Sequence, residues 1–415
     1  MFIGAVADDL TGATDLALML SRGGMRVLQV VGVPREGIEF GDAEAVVVAL
    51  KSRTIPAAEA VAQSVASARA LLAAGARQLF FKYCSTFDST DEGNIGPVTD
   101  ALLDLLGETR TIACPAFPAN KRTIYKGHLF VGDVLLSESS MRNHPLTPMQ
   151  DANLVRVLQR QTRRPVSLIA HDAVIGAPET LERAIAGLEG IGIVDAITES
   201  DLRAIGRAVR SLKLVTGGSG IALGLPDNFR TAGAAAAPTA ITPAPGRSVM
   251  LAGSCSLATR KQIETALAAG TPALQIDPMA IVSGALKVSD AVDFVLAAPA
   301  GRAPLIYSSA DPDAVARVQG QLGRAESGEV VEHFLGAVAR ELLNRGVTRF
   351  LVAGGETSGA VVNALKVEAL GIGPEIDPGV PWTLTRGAGK PIALALKSGN
   401  FGTEDFFIKA WDLVA

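Results

Sequence analysis

The sequence predicts an α/β protein of two domains, each built on a mainly parallel sheet, and three observations lead there. Short β-rich runs alternate with polar or glycine-rich loops and then with helical periods, and such alternation means parallel strands covered by helices. The chain has 415 residues, more than one compact core usually holds. Between 231 and 246 the texture changes to alanine and threonine with three prolines and no charge, which reads as a linker. Residues 1–230 and 247–415 are therefore expected to be separate domains. A hinge between them would leave a cleft, the usual place for a two-substrate site.

The elements follow in order. Residues 2–7 read as a buried strand, and Asp8 to Gly12 as the loop that leaves it. Ala13, Leu16, Ala17 and Leu20 then recur with helical spacing. Residues 45–50 form a second strand, and Val61, Val65, Ala68 and Leu72 mark a helix that stops at Gly75. Strands at 79–83, 111–114, 166–170, 191–197 and 212–216 continue the series. After the linker, strands are expected at 248–252, 305–308, 350–353 and 392–396. Val331, Phe334, Leu335, Val338 and Leu342 make an amphipathic helix that ends before Gly346. No internal repeat has a fixed period.

Composition removes several classes of function. Hydrophobic residues make up 48% and charged ones 19%, below the usual charged share of about 25%, so the chain is neither disordered nor low in complexity. Thirty-eight basic against 42 acidic residues give a net charge of −4. No basic stripe interleaves with aromatics, which leaves nucleic acid without a footprint. The three cysteines Cys84, Cys114 and Cys255 are odd in number and form no CxxC pair. They argue for a reducing compartment and against disulfides or a thiolate zinc site. The N-terminus lacks a basic region and reaches Asp8 and Asp9 early, unlike a signal peptide. No apolar stretch is as long as a membrane span. A soluble, cytoplasmic protein without membrane or nucleic-acid partners is expected, and a homo-oligomer is compatible with the sequence.

In open α/β sheets ligands sit beyond the carboxyl ends of strands. Four loops in such places are rich in Gly, Ser and Thr: 216–220, 253–256, 354–359 and 397–402. Glycine lets backbone approach a ligand, and free N–H groups at a helix start favour an anion. Any one of these loops could be a tight turn and no more, but three in the second half favour phosphate binding there. GxxxxGK[ST] is absent, no GxGxxG opens the first helix of either half and no GxSxG elbow follows a strand. P-loop, dinucleotide and serine-hydrolase chemistry are thereby disfavoured.

The first half supplies acids and a lysine at strand ends. Asp8 and Asp9 could take a proton from a substrate hydroxyl or hold magnesium; the plainer alternative is an N-cap and a solvated acid. Lys82, inside an apolar run, is costly to bury unless an anion pairs with it. It would suit a carboxylate substrate beside the hydroxyls of Ser85 and Thr86, or a structural ion pair. Arg53 is a second anion partner or a surface arginine. His128, His144, His171 and His333 never reach a metal-ligand spacing. His128 and His144 fall in loops, and His333 on the solvated side of its helix. Cys84 and Cys255 have no histidine nearby in sequence, so a nucleophilic role is weak for either.

The opening Ala-Asp-Asp-Leu-Thr-Gly-Ala at 7–13 resembles the signature of the four-carbon acid sugar kinases. Gly-Ser-Cys-Ser at 253–256, Gly-Gly-Glu-Thr-Ser-Gly at 354–359 and Lys-Ser-Gly-Asn-Phe-Gly at 397–402 look like that family's nucleotide-domain motifs. Within it, the segments 82–90, 93–97, 127–131 and 142–149 resemble the branch acting on 3-oxo-tetronates more than the threonate or erythronate kinases. Lys121 departs from the pattern, where a glycine is expected, and touches specificity if its loop lines the sugar site. The resemblance implies a sugar-acid domain followed by a nucleotide domain. It implies transfer of the γ-phosphate of ATP, with Mg2+, to the terminal hydroxyl of the acid. Asp8 or Asp9 would then orient or deprotonate that hydroxyl, the other acting through magnesium. Thr11, Gly12, Arg53, Lys82, Ser85 and Thr86 would surround the acid. Ser254, Ser256, Gly354, Gly355, Glu356, Thr357, Ser358, Gly359, Lys397, Gly399 and Gly402 would hold ATP. A threonate or erythronate kinase, and a non-catalytic binding regulator, are the alternatives.

Overall fold

Short runs of Ala, Val, Ile and Leu that are buried on both faces make the strands, as parallel sheets covered by helices require. In a computed structural model, which describes all residues except 36, 145, 230–245, 300, 309–319, 321–322, 387–389 and 415, the chain divides into two compact units, Met1–Pro238 and Thr239–Ala415. Apart from Gly246, the proline-bearing stretch at 231–246 lies outside the described residues.

The first unit contains β1 (Ile3–Ala7), β2 (Val27–Val31), β3 (Ala45–Ala49), β4 (Gln78–Lys82) and β5 (Thr111–Cys114). A small antiparallel sheet follows, of β6 (Arg122–Tyr125), β7 (His128–Val131) and β8 (Val134–Leu135). Next come β9 (Val166–Ile169), β10 (Ile191–Val194) and β11 (Leu214–Gly217). Its main sheet is parallel throughout, in the order β2-β3-β1-β4-β11-β5-β10-β9. The second unit contains β12 (Arg247–Ala252), β13 (Ala273–Gln275), β14 (Leu305–Tyr307), β15 (Val347–Ala353), β16 (Ala369–Asp377), β17 (Val380–Arg386) and β18 (Ala393–Lys397). There β13-β14-β12-β15-β18 is parallel and β17-β16 adds an antiparallel pair. The fold class is the predicted one.

Both sheets repeat one winding pattern. In each, the first strand has the next two on one side and the fourth on the other, as β2-β3-β1-β4 and as β13-β14-β12-β15. The order reverses between β1 and β4, and between β12 and β15, and a crevice opens beyond the carboxyl ends of strands at such a reversal.

Several predicted details change. The helix Leu10–Arg22 buries Ala13, Leu16, Ala17 and Leu20 as its spacing predicts. In the helix Ala57–Ala73 the buried face is Ala60, Ser64, Ser67, Ala68 and Leu71, whereas Val61, Val65 and Leu72 are half-buried. The cause is close packing: a Cβ on Gly4 would stand 2.9 Å from the Leu71 Cβ and 3.0 Å from the Ala76 Cβ, so the helix lies tight against β1. Strand β2 went unpredicted because Gln29 interrupts its apolar run, yet Gln29 is fully buried and donates to the Leu10 carbonyl at 3.4 Å. The β16–β17 hairpin was hidden by the Gly and Pro residues that bulge it. Among the described residues, no helix is long and apolar enough to cross a membrane.

Candidate active site

Register assembles the first cluster. Ala7 pairs with Ala49 on one side and with Lys82 on the other, so the residues after β1, β3 and β4 leave the sheet together. Asp9 caps the helix Leu10–Arg22, its Oδ1 accepting from the Gly12 N–H at 3.1 Å and its Oδ2 from the Thr11 hydroxyl at 2.8 Å. The capping alternative is therefore correct for Asp9, and Thr11 and Gly12 serve that carboxylate. Gly12 has a further duty: a Cβ there would fall 2.2 Å from Asp9 Oδ1 and 2.9 Å from Lys82 Nζ. Only a residue without a side chain lets the two groups come so near.

Arg53 is neither a surface residue nor free for a substrate. Its Nε and Nη2 donate to Asp8 at 2.9 and 2.8 Å, and Nη2 also reaches Asp9 Oδ1 at 2.7 Å. Asp88 lies 3.6 Å from its Nη1. The loop that bears Arg53 is held by Asn94, whose Nδ2 reaches the carbonyls of Ser52, Arg53 and Ile55 at 2.7, 3.2 and 2.9 Å. Thr86 is also committed, donating to Asp88 Oδ1 at 2.6 Å with the Cys84 sulfur 3.0 Å away. Ser85 is half-buried, and its hydroxyl has no partner among the described residues. Between them Phe87 takes a left-handed φ of 61°, a strained choice for an aromatic residue.

Lys82 is only 3% exposed. Its ammonium donates to the Tyr83 carbonyl at 2.8 Å and makes no ion pair among the described residues. Burial pushes the Asp8 carboxyl above its ordinary value, further than Arg53 pulls it down. Burial acts the same way on Asp9, but there Arg53, Lys82, the Thr11 hydroxyl and the Gly12 N–H outweigh it and hold the carboxyl low. Cys84 is pushed up to about 12 by burial and by Asp88, so it is a thiol and no nucleophile.

In the second unit the loops after β12, β15 and β18 interlock. Ser256 caps the helix Leu257–Ala268, while Ser254 Oγ accepts from the Ser256 N–H at 3.2 Å. Both Ser256 Oγ and Thr259 Oγ1 donate to the Gly399 carbonyl, at 2.5 and 2.9 Å. Lys397, fully buried, donates to Thr259 Oγ1, Ser398 O and Gly399 O at 3.0, 3.1 and 3.0 Å. All three protons of its ammonium are thus spent on shaping the loop. Burial brings its pKa down to about 7. The helix Gly355–Ala364 starts without a side-chain cap after Gly354 at φ 122°, which leaves first-turn N–H groups for an anion. A Cβ on Gly355 or Gly359 would meet nothing within 4 Å among the described residues. Thr357 and Ser358 are buried; the Thr357 hydroxyl packs against Gly253, where a Cβ would sit 2.2 Å from it. Glu356 lies in that first turn. Gly402 is a turn residue at φ 86°, its carbonyl taken by Gln262 Nε2 at 3.0 Å.

The remaining glycine loop, 216–220, is packing rather than a ligand cradle. Cβ atoms on Gly217, Gly218 and Gly220 would lie 2.3, 2.7 and 2.6 Å from the carbonyls of Cys114, Pro115 and Ala116. His128 begins β7, where a loop was expected, and its Nδ1 lies 2.9 Å from the Lys126 carbonyl. His144 pairs with Thr147 at 2.9 Å and His171 with Asp201 at 3.1 Å, while His333 is exposed.

Comparison with known proteins agrees on both halves. Residues 3–225 match the family model of a sugar-binding N-terminal domain, and residues 249–407 that of a nucleotide-binding C-terminal domain. A protein of Cupriavidus necator named 3-oxo-tetronate kinase is 57% identical over 421 residues, covering 98% of this chain and 96% of its own. One of Pseudomonas fluorescens with the same name is 55% identical over 419 residues, with coverage of 98% and 96%. The chain belongs to the 3-oxo-tetronate kinase family. A crystal structure from Salmonella typhimurium LT2 is similar with a TM-score of 0.88 at 41% identity, covering 98% of each chain. One from Haemophilus influenzae has a TM-score of 0.79 at 41% identity, covering 99% of this chain and 100% of its own.

Sequence reasoning missed two polar groups of this family member, one of which, Arg122, lies within electrostatic reach of Asp88. Arg122 Nε and Asn120 Nδ2 are buried without hydrogen-bond partners among the described residues. Burial lowers the Arg122 pKa, by more than the nearby Asp88 carboxylate raises it. The signal was adjacent: Lys121, the residue that departs from the family pattern, is left-handed at φ 58°, the conformation that favours glycine. A direct magnesium site at Asp8 or Asp9 does not fit, because Arg53 already occupies both carboxylates. Among the described residues no group of three or more His, Cys, Asp or Glu could hold a metal.

Proposed function

We infer that the protein is a kinase that transfers the γ-phosphate of ATP to the terminal hydroxyl of a 3-oxo-tetronate, giving the 4-phosphate. Residues 1–230 would bind the sugar acid and residues 247–415 the nucleotide. The observation that carries the reading is Lys82, a buried ammonium with no ion pair among the described residues, beside the Asp8–Arg53–Asp9 cluster. A buried cation calls for an anion, and the substrate carboxylate supplies it. Arg122 and Asn120, with orphaned buried donors, and Ser85 would complete its binding. Arg53 takes the place of a clamp on the two aspartates rather than a substrate contact.

Asp9 is the residue for the hydroxyl, and access decides it before basicity does. Its side chain is 24% exposed against 8% for Asp8. Asp8, locked by Arg53, positions. Phosphoryl transfer needs alignment and charge neutralisation more than covalent help. The C4 oxygen forms its bond to Pγ, the bond from Pγ to the β-bridging oxygen breaks, and the hydroxyl proton leaves toward Asp9. ATP would lie on the first turn of the helix Gly355–Ala364 and on the loops that Lys397 and Ser256 shape around Gly399. Magnesium arrives with ATP as part of that substrate.

The test is ADP release with magnesium, ATP and a panel of D- and L-3-oxo-tetronate, threonate and erythronate. Turnover confined to an oxo-acid is expected. Turnover only with threonate or erythronate would overturn the substrate, and silence across the panel would overturn the kinase on these acids.

A further inference from the structure

The strands of the second unit have amino ends as well as carboxyl ends, and nucleotide chemistry makes no use of the former. A cavity of about 620 Å³ opens there, within the range of roughly 300–1,000 Å³ usual for small-ligand pockets. Arg247, Arg302 and Arg349 line it, and Met250, Phe407 and Trp411 give it an apolar wall. No carboxylate is among its described lining residues.

Each guanidinium is oriented by carbonyls. Arg247 donates to Leu296 O and Ala298 O at 2.6 and 3.1 Å. Arg302 donates to Gly270 O at 3.1 Å, and Arg349 to Val414 O and Gly246 O at 2.6 and 3.0 Å. Carbonyls fix the planes but cancel no charge, and none of the three arginines makes an ion pair among the described residues. Arg349 Nε is buried without an acceptor among the described residues. Three like charges around one concavity repel one another until an anion enters, and guanidinium forks match the oxygens of phosphate and carboxylate.

We propose that this cavity is a second ligand site, for a small organic oxyanion with an apolar body. Strands β12 and β15 run from Arg247 and Arg349 to the loops at 253–256 and 354–359. At about 3.3 Å per residue the two sites are roughly 15–20 Å apart, so the occupant does not overlap ATP. It bears on the nucleotide loops through the strands whose other ends hold them, which makes it an effector.

The chain's two tryptophans, Trp382 and Trp411, have ring centroids 5.3 Å apart, and Trp411 lines the cavity. Their emission therefore reports on it directly. The full-length protein, saturated with a non-hydrolysable ATP analogue to fill the nucleotide loops, is titrated with phenyl phosphate, benzoate and inorganic phosphate. Phenyl phosphate or benzoate is expected to change the emission saturably, and inorganic phosphate to bind at least about tenfold more weakly. In the double variant Arg247→Gln/Arg302→Gln the affinity should fall about tenfold or more, with kcat and the KM for ATP unchanged without the probe. No saturable change with any probe, or equal affinity in the double variant, overturns the site. Inorganic phosphate binding as tightly as phenyl phosphate overturns the role of the apolar wall.

Discussion

Asp9 has two duties, and asparagine separates them. Asn caps helices about as well as Asp, and its amide oxygen can still accept from the Gly12 N–H that Asp9 Oδ1 takes at 3.1 Å. Asp9→Asn therefore keeps the cap and removes the charge. The lost contact to Arg53 is partly solvent-exposed, and Arg53 keeps its two-pronged pair with Asp8, so the stability cost is about 1 kcal/mol or less. That corresponds to a fall in Tm of about 2–4 °C at most. Loss of a positioned acid–base group lowers kcat about 10²–10⁴-fold, or about 2.7–5.5 kcal/mol of barrier. Asp9→Ala should match that kinetic loss and cost about a further 1 kcal/mol of stability as the cap goes. ADP release under saturating ATP and acid, beside a thermal melt, reads both quantities. An Asn variant turning over within roughly threefold of the parent, a change below 1 kcal/mol, would refute the role given to Asp9.

Four further outcomes are expected. Gly12→Ala forces Asp9 and Lys82 apart and should abolish turnover while ATP binding, measured by calorimetry, is kept; retained turnover would show that the close approach is idle. Gly399→Ala places a Cβ 2.6 Å from Ser254 Oγ and 3.2 Å from Ser256 Oγ, and should raise the KM for ATP with little change in the KM for the acid. Arg122→Met should raise the KM for the acid about tenfold or more, as loss of a charged hydrogen bond does, with the KM for ATP unmoved. For Lys397, the folded protein binds the proton less readily than the unfolded chain, since burial brings 10.5 down to about 7. Stability through this residue therefore rises with pH between those values, and melts of the parent and Lys397→Met should show a Tm difference that changes in the parent's favour across that window. A constant difference would mean that Lys397 does not titrate there.

Most of the sheet strands could be read from the sequence because they are continuous apolar runs bounded by glycine, and burial on both faces demands such runs. What escaped was polar or irregular. Gln29 sits in a buried strand because a backbone carbonyl satisfies it, and no local pattern announces that partner. The face of the helix Ala57–Ala73 was misread because close approach to β1 selects alanine and serine over valine, a tertiary demand that periodicity does not contain. The candidate site divides the same way. Asp8, Asp9 and Lys82 were legible because acids at a strand end and a lysine in an apolar run are locally anomalous. The engagement of Arg53 with both aspartates depends on the register of β1 against β3. Arg122 opens β6 and Asn120 ends the short turn before it, a stretch of ordinary composition, and only their buried donors without partners among the described residues single them out.

The placement of β1 in the interior of its sheet also governs when the site can exist during synthesis. β1 is made before both of its neighbours, residues 45–49 and 78–82. A parallel pair has no hairpin to start it and must wait for a crossover. Until Lys82 has left the ribosome, β1 has at most one side paired, and its apolar edge stands open to whatever else is nearby. The same delay recurs at β12, which needs β15 on its far side. Each half of the molecule thus begins with the strand it most needs to protect, and slow translation over either crossover would lengthen the interval in which the chain can aggregate.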